Sequence, residues 1–514
     1  MPIAATPIAP TPTPDAIATL ALAHLERVVA IDSQSDEAST TLPTTEGQRH
    51  LADYVARFYE GLGATVERDA FANVLAWFPG RGALADKAPV AFLVHLDTAR
   101  GTRAVPSLHV VPKWSGARVP FPKNKAIQVD IATYPEAAVF LGQDLVHGPG
   151  DAPFGLDDKL GLAECLATAE LLAGQPDVPH PPLVFVARPD EEVGRHEAVV
   201  ALAATFAQRG VRFGYTVDGV LPFEVNVENF NAAQVSVTFP SRRYHDMPGV
   251  GVVARIGGVN THGATAKAEG HRAAPRLAAE WLAAVDPADA AFTGFVSNAV
   301  RDCDALVHVR VNPGAGERVR AALEDVMAPH LPRGASWSLS TGDGPDDAAA
   351  EDLLGWITRF YASAPGFTLA CEDSAGRDGY SHPYRARPSD DGLRLDVRLR
   401  DFDPDGLLRR IAHVIELAGD LPVEVHHQYV NMGPRLAPFP ELVAYARAAA
   451  EAVGAPIVVA PIRGGTGVDP FLDAGVPVAN LGTGYFAPES EKELTSRQTM
   501  AQHVGWLFAL VQLL

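Results

Sequence analysis

Three short apolar runs constrain the fold of this chain most: Pro89–Val94, Pro182–Ala187 and Phe213–Val217. The first reads as a buried strand, and the other two read as strands. Helical spacing occupies Ile17–Ile31, Gln48–Tyr59 and Leu160–Leu172. Buried strands separated by helices imply an α/β unit with a mostly parallel central sheet.

From about Glu224 the texture changes. Gln234–Phe239 (VSVTF in its last five residues) and Leu306–Val311 (LVHVRV) alternate, and Gly251–Ile256 is a further strand candidate. Amphipathic helices are predicted at Ala273–Val285 and Glu317–Met327. That pattern is an antiparallel sheet with helices on one face, an α+β domain. The buried-strand texture returns at Pro456–Val459 and Val476–Leu481. The expected organisation is a flexible tail at 1–14, one domain made of 15–222 and 432–514, and an inserted domain at 223–431. The insert reads as duplicated. The segment ALVHVRVNPGAGERVRAALEDV repeats the strand, turn and helix order of LRLDVRLRDFDPDGLLRRIAHVI. Two interleaved α+β copies are expected.

The 514 residues leave room for about three domain-sized units at roughly 150 residues each. Net charge is −20, which argues against nucleic acid or an anionic membrane as partner. Cys165, Cys303 and Cys371 are far apart and form no CxxC pair, so neither a zinc–thiolate site nor a disulfide framework is expected. Reduced, buried thiols fit a cytoplasmic protein. Met1–Pro14 lacks a basic n-region and a long apolar stretch, so it does not read as a signal peptide, and Trp506–Leu514 is too short to span a bilayer.

Four acidic or histidine clusters lie at strand ends or just beyond them. His95 and Asp97 follow the first run, with period-two spacing placing both on one side. Asp157 and Asp158 precede a helix, where they could simply favour its N-terminus. Asp190, Glu191 and Glu192 follow the second run, and three consecutive acids repel one another unless a cation compensates. Asp218 ends the third. Ligands of open α/β folds sit beyond the carboxyl ends of strands. One histidine and several carboxylates there make a nitrogen–oxygen site for two divalent ions sharing a bridging carboxylate.

The motifs resemble peptidase T, the tripeptide aminopeptidases, among the co-catalytic zinc metallopeptidases. They are PTTEGQ (43–48), HLDT (95–98), GLDDKLGLAE (155–164), RPDEEVG (188–194), YTVDG (215–219), ENFNAA (228–233), THGATAK (261–267), RDFD (400–403) and PIRGGT (461–466). The resemblance implies an inserted lid of ferredoxin-like type. By position it makes His95 and Asp218 ligands of one metal, Asp157 the bridge and Glu192 a ligand of the second. It makes Glu191 the general base and Asp97 the residue that orients His95. It implies that His262 stabilises the oxyanion, although His-Gly-Ala stands here for the family's His-Pro-Gly. It also implies that Arg400 holds the peptide carboxylate, and Arg463, read as substrate-binding, precedes a Gly-Gly-Thr turn whose N–H groups could line the cleft. The competing reading of Arg400 is an ion pair with Asp401 or Asp403.

Three departures qualify the resemblance. The family's last metal ligand is a histidine, and that position falls on Glu489, with Glu491 as the alternative register. A glutamate there would keep a zinc ligand or make the second site more welcoming to Mn²⁺ or Mg²⁺. The family's RGGTDG reads RGGTGV here, so Gly467 stands where the family has aspartate. The doubled lid could imitate a partner's lid, giving a monomer with a pseudo-dimeric lid, a homodimer being the alternative. The implied activity is removal of the N-terminal residue from short peptides by metal-activated water. The alternatives are an N-acyl amino acid amidohydrolase, or a catalytically impaired peptide-binding homologue.

Overall fold

The computed structural model describes residues 12–244, 249–259, 271–297, 303–363, 379–462 and 464–514. His262, Cys371 and Arg463 lie outside the described residues. The chain divides into two compact units, Met1–Asn229 with Asn431–Leu514, and Phe230–Val430.

The first unit begins with helix α1 (Pro14–Val29), so the helix starts where a tail was expected to end. Pro14 takes its first turn, and Thr13 Oγ1 accepts a hydrogen bond from Ala16 N. Helix α2 is Glu46–Gly61, α3 is Leu156–Ala173 and α4 is His196–Arg209. The strands are β1 (Thr65–Arg68), β2 (Val74–Phe78), β3 (Val90–His95), β4 (Leu183–Arg188), β5 (Phe213–Gly219) and β6 (Glu224–Asn226). With two later strands they form one sheet in the order β1-β2-β4-β3-β5, Val478–Gly482, β6, Val458–Val459. β4, β3, β5 and Val478–Gly482 run parallel, as the apolar runs required, and antiparallel pairs flank them. Every residue of β3 and β4 is buried. Across them Tyr215, Phe92, Phe185 and Tyr59 stack face to face, with centroids 5.6–5.9 Å apart. Because β6 belongs to this sheet, the boundary lies at Asn229/Phe230 rather than at 222/223.

A separate three-stranded sheet in the same unit joins Leu494–Ser496, Leu145–His147 and His109–Val111. Its small core, including Trp114, Phe121, Phe140 and Phe486, supports the loop that carries Glu489.

The second unit contains strands β7 (Asn231–Pro240), β8 (Val250–Gly257), β9 (Ala290–Ser297), β10 (Asp304–Val311), β11 (Ser336–Thr341), β12 (Tyr380–Ser389), β13 (Gly392–Asp401) and β14 (Val423–Tyr429). Its helices include α5 (Ala274–Ala284), α6 (Gly316–Met327), α7 (Ala349–Ser363) and α8 (Pro404–Ala418). Two four-stranded antiparallel sheets result, ordered β12-β13-β7-β14 and β9-β10-β8-β11. Each has the βαββαβ order of a ferredoxin-like unit, β7-α7-β12-β13-α8-β14 and β8-α5-β9-β10-α6-β11. The copies are nested rather than interleaved strand by strand: the whole of 250–341 sits between β7 and α7 of the other copy.

Matching side chains repeat the plan. Trp281 of α5 donates from Nε1 to Val319 O at 3.0 Å, and Trp356 of α7 donates to Leu417 O at 3.2 Å. Both indoles thus tie the first helix of a copy to its second. The copies meet through like elements. Helix α5 packs on α7, with Arg276 over the Tyr361 ring at 4.3 Å. Edge strand β9 lies beside β12, where Ser297 Oγ accepts from Ala386 N at 2.8 Å. One hydrophobic core runs through both copies.

Candidate metal centre

Parallel register builds the centre. β3 pairs with β4 so that His95 is level with Arg188, and with β5 so that Leu93 is level with Thr216. Two residues further along, His95 and Asp218 emerge at the same edge. Helix α3 supplies the next carboxylates through its lead-in, where Asp157 and Asp158 depart from helical geometry and share a cis peptide bond. The helix approaches β5 closely. A Cβ at Gly161 would lie 1.9 Å from Val217 O, so only glycine fits.

His95 is 2% exposed. Its Nδ1 lies 2.9 Å from the carbonyl of Asp97, and its Nε2 lies 2.9 Å from Asp157 Oδ1 and 3.4 Å from Asp218 Oδ1. An Nδ1–H donated to that carbonyl leaves Nε2 as a lone-pair ligand. Asp157 Oδ2 accepts from the Tyr485 hydroxyl at 3.0 Å. His95, Asp157 and Asp218 form one group whose ligand atoms all lie within 4.8 Å of one another. Asp157, Glu192 and Glu489 form a second, so Asp157 belongs to both.

The electrostatics call for cations. Burial and the charge of Asp157 push the Asp218 carboxyl up to about 7. Burial, then the charges of Asp157 and Glu489, push Glu192 well above the usual carboxylate range. Among the described residues, Glu192 Oε1 is buried without a hydrogen-bond partner. A buried carboxylate oxygen with no donor, facing two further carboxylates, fits a divalent ion.

The DEE cluster divides its labour. Asp190 points away and accepts from Thr44 N at 2.9 Å and Gln48 Nε2 at 2.7 Å. In return Asp190 N donates to Gln48 Oε1 at 3.0 Å. Thr44 and Gln48 therefore anchor the turn, a role that sequence reading missed although both lie in PTTEGQ. Asp97 is buried, and its carboxylate accepts from Glu191 N at 2.9 Å and from Glu192 N at 3.1 Å. Its contact with His95 Nδ1 is longer, at 3.4 Å. The Asp97 side chain thus chiefly holds the turn, and its backbone carbonyl takes the closer contact with the imidazole. Glu191 belongs to neither metal-ligand group, and its side chain stays 17% exposed beside them.

Two more residues escaped sequence reading. Tyr485 touches the shared carboxylate. Glu493 is buried and accepts from Gly155 N at 2.6 Å and Leu156 N at 3.2 Å, just ahead of Asp157. The only signal was the clustering of acids at 489–493. In the second unit, Arg400 does not form the ion pair weighed for it. Asp401 pairs with Arg410 and Asp403 with Arg409. Arg400 instead donates to Leu399 O and Gln428 Oε1, at 2.9 and 2.8 Å, and lies over the Tyr429 ring.

No family model matches the chain. Curated relatives do. It is 26% identical over 506 residues to the peptidase T of Geobacillus thermodenitrificans, covering 95% of this chain and 96% of that one. It is 27% identical over 477 residues to the peptidase T of Exiguobacterium sibiricum, covering 90% of each. Among solved structures, it resembles the aminopeptidase PepT of Bacillus cereus with a TM-score of 0.51 at 14% identity, covering 96% of this chain and 98% of that one. The aminoacylhistidine dipeptidase of Vibrio alginolyticus is similar at a TM-score of 0.50 and 15% identity, covering 96% and 97%. In sequence over nine-tenths of its length, and in fold, the chain is a relative of the peptidase T proteins.

Proposed function

We propose that this chain is a metal-dependent hydrolase that removes the N-terminal residue of short peptides. The observation that carries this reading is the pair of ligand groups that share Asp157. His95 and Asp218 would hold one divalent ion and Glu192 and Glu489 the other, with Asp157 common to both groups. Ions bound there lower the pKa of a water and polarise the scissile carbonyl. Glu191 is the general base: it takes the water's proton and passes it to the leaving amine. Asp97 fixes the Glu191–Glu192 turn through two backbone hydrogen bonds and keeps the base in place. His262 is assigned to the oxyanion, Arg400 to the peptide's carboxylate and Arg463 to the substrate cleft, on the resemblance alone.

A histidine with several carboxylates suits zinc. Glu489 makes the second position harder than an imidazole would, which favours Mn²⁺ or Mg²⁺ there. The nested lid supports a monomer. Its two copies meet through like elements, as two subunits do in an isologous dimer. Cys165 is a buried thiol, which supports a cytoplasmic location. No helix among the described residues is long and apolar enough to cross a membrane.

The test is hydrolysis of a tripeptide by metal-loaded protein, with and without chelator, beside Glu191→Ala. Activity that needs metal and vanishes in Glu191→Ala, with metal content kept, supports the assignment. Turnover that survives Glu191→Ala removes the base from it.

A further inference from the structure

An arginine lies against the acidic turn beside this centre. Arg188 ends β4, is 4% exposed, and places Nη2 3.4 Å from Glu191 Oε1. Charge-assisted hydrogen bonds are normally about 2.7–2.9 Å, so this contact is weak. A guanidinium carries five N–H donors. Among the described residues this is the only side-chain hydrogen bond Arg188 makes. A buried cation with so little compensation is costly unless an anion joins it.

The room for Arg188 is provided by Gly467. That residue has φ +58°, and a Cβ on it would lie 2.2 Å from Arg188 Nη2 and 3.1 Å from Glu191 Oε1. Gly467 also stands where the resembling motif carries aspartate. The guanidinium therefore occupies the space a side chain at 467 would take, and a positive charge lies where the motif would bring a negative one. No role proposed above uses Arg188.

We propose that Arg188 binds a side-chain carboxylate on a substrate residue flanking the scissile bond, so that preferred peptides carry aspartate or glutamate there. This rests on the hydrolase reading for its substrate, but not for its geometry. The carboxylates around the ligand groups repel an anion until ions take up their charge, so the metal-loaded full chain is the species to test.

Matched tripeptides settle it: Glu-Ala-Ala against Gln-Ala-Ala, and Ala-Glu-Ala against Ala-Gln-Ala. Both turnover and calorimetric binding are read. Wild type is expected to favour one glutamate peptide over its glutamine isostere on the order of ten- to a hundred-fold, the weight of a charge-assisted bond. Arg188→Met is expected to bring that ratio close to one. Gly467→Asp places a carboxylate against the guanidinium at a φ that aspartate tolerates, and should do the same. Metal content and thermal unfolding confirm that each variant is folded. If peptides are cleaved with no acidic preference, or with one that both variants keep, the proposal is overturned and the hydrolase reading stands. If nothing is cleaved but the Arg188-dependent binding preference appears, the hydrolase reading fails and the proposal stands.

Discussion

Replacing Asp97 by asparagine tests how the Glu191–Glu192 turn is held. The wild-type carboxylate is fully buried and accepts from two consecutive N–H groups, Glu191 N at 2.9 Å and Glu192 N at 3.1 Å. Burial opposes the charge of Asp97, but His95 and the Glu191 N–H hold its carboxyl below the usual range. An asparagine has the same shape and only one acceptor oxygen. It keeps one N–H and turns its own NH₂ toward the other, leaving a buried donor facing a donor. Losing a bond to a charged acceptor costs about 1.5–3 kcal/mol, and the stranded N–H adds a penalty of similar size. With ions bound, relief of carboxylate repulsion gives little back, so about 3 kcal/mol of destabilisation is expected. The assay is chemical denaturation of the metal-loaded protein, read with metal content and kcat. Turnover should fall further than substrate affinity, because Glu191, the base proposed above, would act in the transition state. Unchanged stability and turnover in Asp97→Asn would refute the reasoning.

Other outcomes follow from the same geometry. Glu489→Ala should weaken the second ion by about a hundred-fold or more while leaving the first, read by metal titration. His503 is buried against Glu164 and accepts from Phe223 N, and burial lowers its pKa to about 3. A histidine neutral in the fold but protonated when unfolded lowers stability as pH falls below about 6.5, by up to about 1.4 kcal/mol per pH unit until about pH 3. His503→Gln should flatten that limb of the stability curve. Light scattering at low micromolar concentration should find one chain per particle. A stable dimer would remove the pseudo-dimeric role of the lid.

Much of the centre was legible because buried parallel strands leave a sharp boundary where polar residues begin. His95, Glu191, Glu192 and Asp218 all lie at such boundaries or just beyond, whereas Asp157 lies ahead of a helix. What stayed hidden depends on partners distant in the chain. Gln48 meets Asp190 across 142 positions, and Glu493 meets Gly155 across 338. No local pattern announces such a pair. The second unit's duplication showed in the strand–helix segments at 305–326 and 393–415. Its nesting did not, because the first strand of the outer copy lies far from the rest of that copy in sequence. For Arg400, adjacent aspartates suggested an ion pair. β-strand alternation sends neighbouring side chains to opposite faces, and Asp401 turns to Arg410 instead.

The most direct measurement is a titration of metal-free protein with Zn²⁺ or Mn²⁺, following bound ions and tripeptide turnover together. Two ions per chain are expected, with full activity reached only at the second equivalent. A Glu489→Ala chain should bind one tightly and lose most of its activity. Full activity without bound metal, or none in folded chain carrying two ions, would contradict the shared-carboxylate centre as the seat of peptide hydrolysis.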